Sequence, residues 1–307
     1  MLLAISVDLD ETHHYRDIHR LASHGRGSEV YARAIPRIAE WARQRRIPLT
    51  WFTVGGDLEV AANADTMAEL ARAGDELGCH SHSHFYDLTR RSASEMRSEI
   101  ERGVAAIESA TVAKVKGFRA PGYVVNDTLL DLVREVGLAY DSSVFPCPSY
   151  YALKAAAIAA QTARGHKPHS VIDVPEVLRA PAVPYRVGRP YWFRGTGILE
   201  IPIQVTRRTR LPFIGTSLTM AGTFGARLLA RGVAGEPFVN LELHGIDALD
   251  SSDGLQDLTG AQRDLRIPWS KKLAAIDAAV EVLRARGHRC VRLDELAASA
   301  ASDPKWS

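Results

Sequence analysis

Three histidines alternate with serines at His80-Ser81-His82-Ser83-His84, in a chain whose eleven histidines are otherwise spread over 307 residues. On a strand the three rings share a face, and on a helix His80 and His84 are i, i+4 neighbours. Either geometry lets His80 and His84 converge on one ion. Near the N-terminus, Asp8-Leu9-Asp10 sets two carboxylates two residues apart, on one face of a strand. Burying both as anions is costly unless a cation lies between them or the strand bends. Zinc takes His nitrogen and Asp oxygen, and its catalytic sites keep a coordination position for water. One Asp with two His therefore reads as an open metal site, and the other Asp as a general base. The bland alternatives are a surface His cluster and an Asp that caps a turn or helix. His82 is expected in a supporting position or in solvent. His13, His14, His19 and His24 follow Asp10 in a segment expected to be irregular and solvated, with His13 or His14 able to line a pocket. His166 and His169 are expected to be exposed.

The elements that must carry these residues alternate in type. Leu2 to Leu9 is strand-like, and Ser28 to Arg46 has apolar residues at helical spacing (Val30, Ala34, Ile38, Trp41, Ala42). Strands are expected at Leu49–Val54, Leu77–His84 (or an extended turn), Val115–Arg119 and Ala139–Phe145. Helices are expected at Asp65–Ala73, Ser94–Ser109 capped by Ser94, and Asn126–Val136 stopped by Gly137. After Pro146 the alternation fails in a proline-rich stretch to about residue 196. It resumes with strands at Gly197–Thr206 and Pro237–His244, a helix at Trp269–Arg286 and the strand "HRCVRL". This order predicts a parallel α/β sheet or barrel. Chemistry in such folds gathers at the C-terminal ends of the strands. Here five such ends carry polar groups: Asp8 and Asp10, the histidine cluster, Arg119-Ala120-Pro121-Gly122-Tyr123, Asp141-Ser142-Ser143, and His244-Gly245.

The formal net charge of +2 argues against a general nucleic-acid binder. Cys79, Cys147 and Cys290 form no CxxC pair, so no disulfide framework and a reducing compartment are expected. "MLLAISVDLDE" has no basic segment leading into an apolar one, and no apolar run approaches about 18 residues. The expectation is a cytoplasmic protein, with peripheral contact at the inner face of the membrane left open.

In their order, "SVDLDE", HSHSH, "RAPGY", "YDSS" and Leu243-His244 resemble the polysaccharide deacetylase family, the NodB-homology domain of carbohydrate esterase family 4. The resemblance implies a distorted (β/α)7-type barrel: a single domain over residues 1–300 with an irregular insertion at 146–196, and a frayed tail at 301–307. It also implies a metal-dependent amide hydrolase that removes an N-acyl group from an amino sugar. Asp10, His80 and His84 would bind a divalent metal, zinc first, with cobalt, nickel or manganese as alternatives. Asp8 would be the general base held by Arg119, and His244 the general acid. A backbone N–H near Gly122 or Tyr123 would help hold the oxyanion. Asp247 is the nearest carboxylate in sequence that could orient His244.

The one-residue gap between the aspartates is similar to relatives acting on polyprenyl-phosphate-linked amino sugars. Arg207, Arg208 and Arg210 could meet a lipid phosphate. The apolar segment Leu211–Arg231 could lie at a membrane interface or form a buried helix. Tyr191-Trp192-Phe193 could stack on a sugar or belong to the core. The alternatives are a deacetylase of a soluble or polymeric glycan, a non-catalytic sugar-binding relative, and a DxD-type glycosyltransferase, which would leave HSHSH and His244 without roles.

Overall fold

Strand β1 (Leu2–Asp8) shows why the sheet can carry a site. Its odd positions, Leu3, Ile5 and Val7, are fully buried against the outer helices. Each contributes roughly 1.5–3 kcal/mol by leaving water. Its even positions, Ala4, Ser6 and Asp8, turn to the other side of the sheet, where Ala4 joins a second, smaller core. The computed structural model describes residues 1–19, 21, 27–163 and 173–303. His24, His166 and His169 lie outside the described residues.

The other strands are β2 (Thr50–Thr53), β3 (Glu76–Cys79), β4 (Gly117–Phe118), β5 (Tyr140–Asp141), β6 (Tyr185–Val187), β7 (Arg194–Glu200), β8 (Phe238–His244) and β9 (Arg289–Val291). They form one sheet in the order β6-β7-β5-β4-β3-β2-β1-β8, with β9 also paired to β1. Every pairing is parallel except β6 with β7. The sheet curls into a half-barrel that does not close by a ladder among the described residues. The chain after β7 crosses the gap instead, with Gln204 N–H donating to Asn240 O at 3.3 Å. The distorted parallel barrel expected from the sequence is thus present.

Helices α1 (Thr12–His19), α2 (Ile35–Arg45), α3 (Ala61–Arg72), α4 (Ala93–Thr111), α5 (Asp127–Glu135), α6 (Pro148–Ala163), α7 (Gly215–Val233), α8 (Trp269–Ala285) and α9 (Leu293–Ser302) complete the described fold. Leu293, Leu296, Ala297 and Ala300 of α9 pack with Ala4, Phe52 and Tyr140 in the smaller core. This fills the end of the curl opposite the strand C-termini.

Several boundaries differ from the sequence reading. The segment after Asp10 is helical (α1), and the proline-rich stretch begins with helix α6. The cap of α4 is Ser92, not Ser94; Ser92 Oγ accepts from Glu95 N–H at 3.3 Å, and Glu95 returns a bond to Ser92 N–H. β5 is only two residues long: Ser142 N–H still donates to Phe118 O, but Ser142 O accepts from Arg119 Nε and Ser143 N–H donates to Asp141 Oδ2. Helix α9 continues to Ser302, past the boundary expected for a frayed tail.

Candidate active site

The parallel register sets Ser6 beside Glu242 and Asp8 beside His244. On β8, Val239, Leu241 and Leu243 take the outer face, so Asn240, Glu242 and His244 share the inner face with Asp8. Glu242 Oε1 stands 2.8 Å from His244 Nδ1. Asp247, the nearest carboxylate in sequence, instead accepts the backbone N–H of His244 at 2.9 Å. Glu242 is therefore the carboxylate that orients the ring, correcting the expectation for Asp247. The strand period of two was the signal for it. Burial by itself disfavours charging His244, but Glu242 outweighs that and holds the imidazole well above its usual range. The ring's Nε2 faces the Tyr123 hydroxyl at 3.2 Å.

The histidine cluster is neither a strand face nor a helix. β3 ends at Cys79, and residues 80–84 form a bend with positive φ at Ser81 (61°) and His84 (54°). Backbone in that region is strained for residues other than glycine. The bend is fastened by Ser83 N–H and Oγ on Glu99, and by Gly55 and Gly56 N–H on the carbonyls of Ser81 and His82. Gly103 of α4 leaves the room; a Cβ there would lie 2.9 Å from Ser81 O.

The bend brings the His80 and His84 rings to 4.8 Å between centroids and turns His82 against Gly55 and Gly56. Both Nε2 atoms stand 3.1 Å from Asp10 Oδ1. His80 Nδ1 is 2.7 Å from Arg119 O, which can only accept, so Nδ1 carries a proton and Nε2 is the atom left to ligate an ion. Two imidazoles and a carboxylate, all buried and aimed at one point, suit a divalent cation in both charge and donor type. Burial alone would raise Asp10, yet His84 and His80 hold it well below the usual carboxylate range.

Asp8 lies beside this set. Its Oδ1 accepts from Arg119 Nη1 at 2.6 Å, while its Oδ2 is buried without a hydrogen-bond partner. Burial pushes Asp8 upward against the opposing pull of Arg119 and His80. Arg119 is fully buried, with Nε on Ser142 O at 2.7 Å, Nη2 on Ser142 Oγ at 2.8 Å, and its guanidinium 4.1 Å above the Phe52 ring. Ser142, singled out only as part of "YDSS", is thus the anchor of Arg119.

Gly122 (φ 64°) and Tyr123 (φ 62°) turn the chain after Arg119 into the site, a path that glycine adopts without strain. The Tyr123 N–H donates to Ala120 O at 3.1 Å.

These groups open on a cleft of about 340 Å³, lined by Asp8, Asp10, His80, Gly122, Tyr123 and His244 at its polar end. Tyr86, Tyr150, Leu153, Pro212, Ile214 and Ile246 form an apolar wall. Tyr150 and Leu153 come from α6, which sequence reading did not foresee. Tyr191, Trp192 and Phe193 do not line the cleft; Tyr191 is buried, with its hydroxyl on Asp173 at 2.7 Å. Arg210 is committed to the carbonyls of Leu178 and Ala180, so the three-arginine cluster reduces to Arg207 and Arg208 at the surface. Helix α7 buries Leu218, Ala226 and Ala230 and exposes Met220, Phe224 and Leu228. No helix among the described residues is long and apolar enough to cross a membrane.

The sequence model described as polysaccharide deacetylase matches residues 28–140, a stretch holding the histidine bend and Arg119. A bifunctional xylanase/deacetylase of Pseudobutyrivibrio xylanivorans is 29% identical over 93 residues, 30% of this chain and 15% of that protein. A peptidoglycan deacetylase of Helicobacter pylori is 26% identical over 110 residues, 36% of each chain. The chain thus spans little more than a third, or less, of these curated relatives. A crystal structure assigned as a polysaccharide deacetylase from Mycobacterium smegmatis superposes over 100% of this chain and 91% of that one, with TM-score 0.62 and 17% identity. That likeness carries the fold beyond residue 140, to the strand that bears His244. Residues 28–140 thus match the polysaccharide deacetylase family model, and the whole chain shares the fold of the Mycobacterium smegmatis structure.

Proposed function

We propose that the protein is a metal-dependent carbohydrate N-deacylase that hydrolyses an N-acetyl or N-formyl group on an amino sugar. The observation that carries this reading is the pairing of Asp8 and His244 at one register position of β1 and β8, beside the donor set of Asp10, His80 and His84. Asp10, His80 and His84 would hold a divalent ion, with zinc the best match to two nitrogens and one oxygen. When bound, such an ion supplies Lewis-acid polarisation of the acyl carbonyl and acidifies nearby water.

The remaining steps fall to the chain. Asp8 Oδ2, free of hydrogen bonds, takes a proton from the attacking water, while Arg119 keeps Asp8 oriented through Oδ1. His244, held protonated by Glu242, donates to the departing amine, which leaves poorly as an anion. The backbone turn at Gly122 and Tyr123 would approach the developing oxyanion. The Tyr123 hydroxyl keeps His244 Nε2 directed into the cleft.

The preferred substrate is an amino sugar carried on a lipid phosphate. The cleft wall is apolar, and Leu153 at its rim is 74% exposed. A second reading, deacetylation of a soluble or polymeric glycan, is favoured by relatives named for peptidoglycan and xylan. Competition between N-acylated amino sugars with and without the lipid phosphate, read as free amine, tests both. Preferential turnover of the lipid-phosphate form supports the first. Equal turnover, or preference for soluble oligomers, sinks it and leaves the deacylase standing. No free amine from any of them, with metal supplied, overturns the deacylase itself.

A further inference from the structure

Beyond the site described, one other group of candidate ligands, two half-buried histidines and a buried aspartate, stands close together among the described residues. His13 and His14 begin helix α1, and Asp57 sits in the tight turn that follows β2. One donor atom from each of these three residues lies within 4.8 Å of the others. Asp57 is 6% exposed, and the two imidazole centroids are 4.0 Å apart. Nε2 of His14 and the hydroxyl of Tyr31 are both buried without a hydrogen-bond partner among the described residues.

We propose that His13, His14 and Asp57 form a second divalent transition-metal site. Two imidazole nitrogens and one carboxylate oxygen are donors suited to zinc, cobalt or nickel rather than to calcium or magnesium. Tetrahedral coordination at about 2.0–2.1 Å sets donor atoms roughly 3.4 Å apart. The donors would therefore draw together by up to about 1.4 Å on loading. An ion reaches it through the open cleft of about 550 Å³ that His14 lines together with Asp17 and Tyr86.

The second ion would have a structural consequence. The Asp57 turn is already tied to the histidine bend through Gly55 N–H on Ser81 O at 3.0 Å and Gly56 N–H on His82 O at 2.8 Å. The His14 ring lies 4.4 Å from that of His84. An ion between α1 and this turn would hold His14 against His84 and stiffen the bend from behind.

The test is metal stoichiometry of the full chain, stripped with chelator and dialysed against low-micromolar Zn²⁺ so that weak surface binding does not register. The wild type is expected to hold two equivalents. His13→Ala and Asp57→Asn should each hold one and keep the wild-type circular dichroism spectrum. His84→Ala should also hold one, and the double variant His13→Ala/His84→Ala none. Should Asp57→Asn fail to fold, His13→Gln replaces it. One equivalent in the wild type that disappears in His84→Ala and survives in His13→Ala overturns the second site. One equivalent that survives in His84→Ala and disappears in His13→Ala overturns the first site alone. Two equivalents in both His13→Ala and His13→Gln also overturn the second site.

Discussion

Glu242 and His244 stand two residues apart on β8, with the Glu242 carboxylate 2.8 Å from His244 Nδ1. The carboxylate belongs to the inner face by strand period alone, and against the effect of burial it holds the imidazole pKa well above its usual range. A general acid must be protonated to act, so activity declines as pH rises through the His244 pKa. Glu242→Gln removes the charge that raises this pKa. The alkaline limb of the kcat/KM profile should then move to lower pH, with the largest loss above neutrality. An unmoved limb assigns that titration to another group.

Asp8 and Asp10 separate by partner. Asp8→Asn should keep the metal and lose roughly 10²–10⁴-fold in kcat, the usual worth of acid–base catalysis. Asp10→Asn should lose the metal, because Asp10 Oδ1 is the oxygen shared by His80 and His84. Elemental analysis of both variants with their turnover decides. Metal lost from Asp8→Asn and kept in Asp10→Asn would exchange the roles.

Arg119 carries both geometry and stability. It is fully buried between Asp8 and Ser142. Removing one partner of a buried ion pair typically costs about 3–5 kcal/mol. Arg119→Ala should lower the urea midpoint accordingly, and Asp8→Asn/Arg119→Ala should lose less than the sum of the two single changes. Additive losses would mean that the pair is energetically uncoupled.

Met220, before the break at Gly222, and Phe224 and Leu228, after it, are exposed on α7, Phe224 to 77%. Phe224→Ser should leave stability within about 0.5 kcal/mol, as an exposed change. If the substrate lies in a membrane, the same variant should sediment less with anionic vesicles and turn over lipid-phosphate substrates more slowly, with soluble amino sugars unaffected. Charge reversal at Arg207 and Arg208 should act in the same direction. Equal sedimentation of wild type and variants argues against this face as a docking surface.

The sequence exposed the parts of the site whose chemistry needs unusual residue types. HSHSH, Asp8-Leu9-Asp10 and Arg119 stand out because few structural roles require them, and the fold brings them together. Glu242 was equally available, since alternation from His244 points straight to it, but nearness in sequence favoured Asp247. The bend at residues 80–84 was not legible, because two residues with positive φ follow no periodicity. Helix α6 was hidden by the prolines that follow it. Ser142 stood out only as part of YDSS and without a role, since a serine's role depends on which buried donor reaches it, here an arginine brought by another strand.

The cleft has two kinds of wall. Its reactive groups sit on the ends of strands locked into one ladder, where a shift of one residue would turn every side chain to the wrong face. Its apolar side comes largely from outside that ladder: Tyr150 and Leu153 from α6, Pro212 and Ile214 from the chain leading into α7. The two can be retooled independently. On the proposed function, exchanging α6 for a helix of different shape and polarity would alter which acyl-sugar enters without disturbing the groups assigned to cleave it, a fixed tool with a replaceable jig.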